Sequence, residues 1–129
     1  MAQPAFATEN GSSKQPRSMR PIDLVHLTRQ CLGDENLELE ILRMYDLSLS
    51  TYFERLKAAS DRNDALINVH SIRGASAGVG AFTVANLART MEADIRDGHA
   101  LTAERIDDLG MAIEEVRDFI ARMLAKQQD

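Results

Sequence analysis

The C-terminal part of the chain carries an apolar pattern that constrains the fold more than any other feature of the sequence. Apolar residues recur there at alternating intervals of three and four positions: Ile106, Leu109, Ile113, Val116, Ile120 and Met123. This spacing aligns them along one face of an α-helix, and it is the pattern by which helices pack side by side in bundles. The pattern predicts a long helix, capped by Thr102, that is packed against other helices.

Further helices are predicted upstream, because apolar residues recur three and four positions apart between capping and breaking residues. The first is short, the second is long, and a glycine-rich turn joins the third to the fourth. Their predicted bounds are Asp23 to Gly33, Asp34 to Ala59, Asp61 to Gly80 and Phe82 to Gly98. No segment alternates between apolar and polar residues with period two, so no strand is expected. We therefore expect an all-α, antiparallel up-down four-helix bundle with the short first helix across one end.

Composition and charge limit the classes of function. The 129 residues suffice for one domain, and the net charge of −5 argues against general nucleic-acid binding, which needs a basic surface. The single cysteine excludes an internal disulfide, and no stretch approaches the roughly 20 apolar residues of a membrane span. Residues 1–20 have little to bury and are expected to be a disordered tail. This leaves residues 21–126 as the domain of a soluble, cytoplasmic protein.

His70 stands out because it lies outside the apolar stripe of the third predicted helix. It is about 100° around the helix from Val69, a core position. Its neighbours on the helix surface, at three, four and seven positions further on, are Arg73, Gly74 and Ala77. A glycine here costs the helix up to ~1 kcal/mol relative to alanine. The arrangement would let the backbone of another protein approach the imidazole.

These residue types suit a histidine that carries a phosphoryl group. A neutral, solvated imidazole is a nucleophile, and the planar guanidinium of Arg73 binds phosphoryl oxygens. A metal site is not indicated, because no histidine, cysteine or carboxylate lies four positions from His70. The chain also lacks a glycine-rich phosphate loop of the P-loop type. No ATP-dependent kinase activity is therefore expected, and a phosphoryl donor would be another protein.

Residues 70–80, HSIRGASAGVG, resemble the signature of histidine phosphotransfer (HPt) domains of bacterial two-component phosphorelays. That signature reads His, any residue, Leu, Lys, Gly, two small residues, two variable residues, a Leu-like residue and Gly. A Leu-Glu-like pair that follows in the next helix is matched by Met91 and Glu92, and the resemblance covers residues 21 to about 126. Arg73 replaces the usual lysine, and Gly78 stands where the family often has a larger or polar residue.

The resemblance implies a monomeric four-helix bundle that accepts a phosphoryl group from the aspartyl phosphate of one receiver domain and passes it to another. It implies that His70 is the phosphorylated residue and that Arg73 stabilises the phosphoryl charge. The partners would be receiver domains of response regulators and of a hybrid sensor histidine kinase. Mg²⁺ would be bound by the receiver, and no cofactor by this chain. The receiver is expected to dock on Gly74, Ala77, Glu92 and Arg96.

Two further docking residues are expected at the start of the first helix. If Leu24, Leu27 and Cys31 face the core, Ile22 and Val25 are at least half exposed. Exposed apolar residues beside such a site suggest a docking patch.

Other interpretations of the same residues stay open at this point. The bundle would also suit an interaction module that binds and regulates a receiver or sensor kinase without carrying phosphate. A bundle with an internal ligand or metal is disfavoured by the apolar seam of the last helix. Gly74 could serve close helix packing, and Glu92 could simply pair with Arg89 or Arg96 on its own helix. The remaining histidines, expected to be structural or incidental, are His26 and His99.

Overall fold

The computed structural model describes residues 20–128 and folds them into helices. The predicted disordered tail, residues 1–20, lies outside the described residues except for Arg20. Helix α1 spans Leu24–Gln30, α2 Glu35–Lys57, α3 Arg62–Val79, α4 Phe82–Arg96 and α5 Ala103–Gln128. No strand occurs between residues 20 and 128, as the all-α prediction requires. No helix within this range is long and apolar enough to cross a membrane.

Side chains at the predicted N-caps begin α1, α2, α3 and α5. The carboxylates of Asp23, Asp34 and Asp61 and the hydroxyl of Thr102 each accept a backbone N–H three residues later, at 2.8–3.2 Å. Such a cap contributes about 1 kcal/mol, because it satisfies a donor that the first turn leaves free. At the other end of α3, Gly80 adopts a left-handed backbone with φ +91°. This residue ends α3 and lets α4 fold back along it.

Contacts between helices show that α2 to α5 form an antiparallel bundle. Arg117 of α5 donates to Asp46 of α2 at 2.8 Å, and further along α2 the ring of Phe53 lies against Gly110. Residue numbers therefore rise along α2 as they fall along α5. Helices α3 and α4 are also antiparallel, because Arg62 at the start of α3 contacts the end of α4 and His70, further along α3, contacts the earlier residue Glu92. Each of these helices packs against two neighbours, which closes the bundle into a ring.

The apolar stripes predicted from the periodicity fill the interior. The central seam residues of α5 are buried, and the outer two, Ile106 and Met123, are partly buried. Ser76 of α3 is also buried, and its hydroxyl is hydrogen-bonded to that of Tyr45 at 2.6 Å. Burial raises the pKa of Tyr45, so the phenol is neutral. This polar pair ties α2 to α3 inside the core.

The short helix α1 lies against the turn between α3 and α4. The backbone N–H of Asp23 donates to the carbonyl of Gly80 at 2.9 Å. The ring of His26 packs edge-on against Phe82 with ring centroids 5.1 Å apart, and its Nε2 is 3.2 Å from the carbonyl oxygen of Gly78. His26 therefore has a structural role, and α1 covers one end of the bundle.

The prediction that Ile22 is exposed is wrong. Its side chain is 0 % exposed, whereas Val25 is 40 % exposed. Ile22 precedes the N-cap Asp23, so the periodicity of α1 does not determine its direction, and it joins the core cluster that contains Leu27. Ile22 is thus a packing residue and not a docking residue. Val25 lies at the surface, although it is less exposed than the half that was predicted.

Candidate functional site

His70 lies in the middle of α3 and presents its imidazole to solvent, as its position outside the apolar stripe predicts. Its side chain is 57 % exposed, while Val69 and Ile72 of the same turn are fully buried. The ring reaches towards α4, where its Nδ1 lies 2.8 Å from Oε2 of Glu92. The imidazole is thus held at one nitrogen and open elsewhere.

Glu92 is the buried centre of the site. Its side chain is only 7 % exposed and faces one imidazole and two guanidinium groups. Oε1 lies 2.8 Å from Nε of Arg73, and Oε2 lies 2.7 Å from Nη2 of Arg96. Burial opposes ionisation of this carboxyl, but hydrogen bonds from His70 and Arg96 and the charge of Arg73 outweigh it, so the pKa of Glu92 is lowered. The carboxylate is therefore ionised at neutral pH.

The contact with Glu92 determines which imidazole nitrogen is free. An ionised carboxylate only accepts hydrogen bonds, so Nδ1 of His70 carries the proton that it donates at 2.8 Å. Nη2 of Arg73 lies 3.3 Å from the same nitrogen, but a protonated Nδ1 cannot accept a hydrogen bond from it. The lone pair is on Nε2, which has no hydrogen-bond partner among residues 20–128. Nε2 is consequently the nucleophilic nitrogen of His70.

Arg73 lies beside the imidazole, one turn further along α3, as predicted. Its Nε faces Glu92 as an ion pair, without a well-directed hydrogen bond to any residue in the described range. Its side chain is 38 % exposed, so the rest of the guanidinium reaches solvent next to His70. A guanidinium is a group that can bind the oxygens of an anion, and this one lies on the side of the ring.

The helix surface beyond His70 is free of side-chain bulk. A Cβ atom added at Gly74 or at Gly78 would meet no atom within 4 Å, and Ala77 is exposed. Gly74 is therefore not required for packing among residues 20–128, which removes the alternative that it serves close packing of these helices. The space above it is open to a second molecule.

Charged and apolar side chains surround this bare surface. Arg96 is 60 % exposed on α4, and the exposed Arg89 donates to Asn86 at 2.6 Å. Ile67 is 64 % exposed, three residues before His70. Ile67 was not predicted as part of the site, although its spacing of three from His70 places it on the same face. The rim of the site therefore offers cations and one apolar side chain.

The docking role predicted for Glu92 does not agree with its burial. The carboxylate lies behind the imidazole, where a partner cannot contact it. It lies beside His70, with Oε2 2.8 Å from Nδ1. The alternative that it pairs only along its own helix is wrong, because it also contacts His70 and Arg73 of α3.

Arg62 is a second residue whose role was not predicted from the sequence. From the first turn of α3 it donates to the carbonyl oxygens of Ile95 and Arg96, each at 3.0 Å. These bonds satisfy carbonyls that the last turn of α4 leaves free. Arg62 thereby fixes the end of α4 that carries Arg96 against α3.

The groups at this site suit an electrophile with negatively charged oxygens. The site brings together an imidazole, a carboxylate and two guanidinium groups from α3 and α4. Within residues 20–128, no three histidine, cysteine, aspartate or glutamate side chains gather as metal ligands would. A phosphoryl group approaching Nε2 would meet the lone pair in front and guanidinium groups at the side.

Comparison with known proteins agrees with the helical fold. The chain resembles the HPT domain from the Hpt sensor hybrid histidine kinase from Shewanella, with a TM-score of 0.73 and 22 % sequence identity. The match covers 82 % of this chain and 95 % of that domain, and it shows a shared helical fold. A comparison with curated proteins gives no match.

The family model of the Hpt domain matches residues 23–123. That range takes in α1 to α4 and most of α5, and with them His70, Arg73 and Glu92. A match over most of the chain, together with an exposed histidine held in this way, leads to one assignment. The chain belongs to the Hpt domain family.

Proposed function

We propose that this protein carries a phosphoryl group on Nε2 of His70 between receiver domains. Its family supports a histidine phosphotransfer role in a two-component phosphorelay. One observation supports the assignment of the atom: Nδ1 donates to Glu92 at 2.8 Å, which leaves Nε2 as the exposed nucleophile.

The transfer begins when the lone pair of Nε2 attacks the phosphorus of an aspartyl phosphate. The Nε2–P bond forms as the P–O bond to the aspartate breaks, and the aspartate carboxylate leaves. Positive charge develops on the ring beside the ionised carboxylate of Glu92, which stabilises it. Arg73 stabilises the phosphoryl oxygens. The reverse sequence returns the group to the aspartate of a second receiver.

The partner supplies the chemistry that this chain does not. We expect receiver domains of response regulators and of a hybrid sensor histidine kinase, the type of protein from which the Shewanella domain comes. The receiver would bring the aspartate and Mg²⁺, and this chain, as a monomer, would bring the nucleophile, a cation and a docking surface. Gly74, Ala77, Val25 and Arg96 are the proposed docking residues.

Transfer from a phosphorylated receiver tests the proposal. A panel of receivers from the same genome is labelled, each is incubated with this protein, and the label is followed. We expect at least one receiver to pass its label on, and the product to be lost in acid and retained in base, as a phosphoramidate is. Receivers that bind in a pull-down but never transfer the group would support the alternative, an interaction module that regulates without carrying phosphate. A full panel without transfer contradicts the proposal.

Replacement of Gly74 by alanine is expected to raise stability and to slow transfer. The added Cβ meets no atom within 4 Å, and alanine favours the helix by up to ~1 kcal/mol, so the free energy of unfolding should rise. Transfer should slow by about tenfold, because a methyl group there overpacks the contact with the docked receiver. Urea unfolding and quenched transfer kinetics measure the two effects.

Gly78→Ala is the matched control for this variant. It also adds a Cβ in open space, but it lies about one turn further from His70 than Gly74 does. We expect a smaller effect on transfer there. Transfer at the wild-type rate in Gly74→Ala would show that the receiver does not contact this part of α3.

A further inference from the structure

Two guanidinium groups next to His70 are occupied by a carboxylate in the unphosphorylated protein. Arg73 and Arg96 approach the two oxygens of Glu92 at 2.8 and 2.7 Å. The oxygen bound by Arg96 is the same Oε2 that accepts the proton of Nδ1 of His70. Both arginines therefore lie within a side-chain movement of a phosphoryl group on Nε2. An arginine that turns its guanidinium towards that group shares one positive charge between two anions, so its attraction to Glu92 weakens.

We propose that Glu92 competes with the phosphoryl group on His70 for Arg73 and Arg96, and thereby keeps the group transferable. The proposal rests on the proposed function of His70 and makes Arg96 a second phosphoryl-binding residue. A phosphoryl group carries about −1.5 to −2 charges on three acceptor oxygens, so it attracts guanidinium groups more strongly than one carboxylate does. Since Arg73 is 38 % and Arg96 60 % exposed, both have room to turn towards it.

The retained carboxylate limits how firmly the phosphoryl group is held. Glu92 is buried and cannot move away, so it continues to attract both arginines after His70 is phosphorylated. It also repels the phosphoryl oxygens across the ring. Arg89, the other arginine on this face, is bound to Asn86 and makes no ion pair with Glu92. With a neutral acceptor at position 92, Arg73 and Arg96 would no longer be attracted by a carboxylate. They would then bind the phosphoryl group more tightly.

Exchange with free imidazole measures this effect without a receiver. N-phosphoimidazole gives its phosphoryl group to His70: its N–P bond breaks, the Nε2–P bond forms, and imidazole leaves. The equilibrium constant therefore compares the protein site with free imidazole, and ³¹P NMR measures it. In Glu92→Gln the amide oxygen still accepts from Nδ1, but the negative charge is gone. Glu92→Gln has two opposite effects on the equilibrium constant. The ring of phosphorylated His70 loses the carboxylate that stabilises its charge, which lowers the constant, and the release of both arginines to the phosphoryl group raises it. We expect the release alone to raise the constant about fivefold, the effect of one partly exposed ion pair.

A double-mutant cycle assigns the effect to the arginines. When Arg73 and Arg96 are both replaced by glutamine, Glu92→Gln removes only the stabilisation of the ring charge. The factor by which it changes the equilibrium constant should then be about fivefold smaller than in the wild-type background. Asp97→Asn removes one charge from an exposed position just after α4 and should have no effect. An equal effect of Glu92→Gln in both backgrounds, or a less favourable effect where the arginines are present, overturns the proposal.

The arginine side chains of the wild-type protein give a measurement that does not depend on how the variants fold. The Nε–Hε NMR signals of Arg73 and Arg96 should shift when His70 is phosphorylated, because the partner of each guanidinium changes. Unchanged signals with His70 fully phosphorylated overturn the competition and leave the proposed function intact. If His70 accepts a phosphoryl group neither from N-phosphoimidazole nor from any receiver, the proposed function itself fails.

Discussion

Replacement of His70 by glutamine is expected to abolish phosphoryl transfer to this protein while its fold is retained. The amide nitrogen of glutamine can donate to Glu92 in place of Nδ1. It has no lone pair comparable to that of Nε2, so the N–P bond cannot form. Because the His70 side chain is 57 % exposed, the substitution leaves the core untouched. The label transferred from a phosphorylated receiver should fall to background, with an unchanged circular dichroism spectrum.

His99→Gln is the matched control for this experiment. His99 is also exposed, but it lies in the turn that follows α4. We expect His99→Gln to accept label as the wild type does. His26 is less suitable, because its ring contacts Phe82 and the carbonyl of Gly78, which helps to seat α1. Label that persists in His70→Gln, or that is lost in His99→Gln, would place the nucleophile elsewhere.

The helices of this chain could be predicted because each carries local signals. Asp23, Asp34 and Asp61 cap their helices as predicted, and Gly80 ends α3 with a positive φ. An end without such a signal is less well defined by the sequence. Helix α2 was expected to reach Ala59 but ends at Lys57, where neither glycine nor proline marks the boundary.

The site could be predicted only as far as a single helix determines it. The spacing of three, four and seven positions puts Arg73, Gly74 and Ala77 beside His70 in any helix. The contacts of Glu92 with His70 and Arg73 depend on how α4 is rotated against α3, which the periodicity of one helix does not determine, whereas its contact with Arg96 follows from the spacing of four within α4. Ile22 lies before the first cap, where no helical pattern applies. Both errors concern contacts between elements and not the elements themselves.

Gly80→Ala is expected to lower the free energy of unfolding by about 2–5 kcal/mol. The left-handed backbone at φ +91° costs a residue with a Cβ about 1–2 kcal/mol. The new Cβ would also lie 2.9 Å from the carbonyl oxygen of Asp23, a backbone atom that cannot turn aside. Helix α1 must therefore move, which breaks the hydrogen bond from Asp23 to Gly80 and exposes Ile22. Urea denaturation measures the loss.

Gly98→Ala separates the backbone cost from the cost of moving α1. Gly98 has nearly the same φ, +90°, but a Cβ there meets nothing within 4 Å, so only about 1–2 kcal/mol should be lost. An equal loss in both variants would mean that α1 accommodates the methyl group freely.

Val25 lies on α1 and is 40 % exposed. If it contacts the receiver, Gly80→Ala should slow transfer even where the bundle remains folded, because the displaced α1 takes Val25 with it, whereas Gly98→Ala should transfer normally.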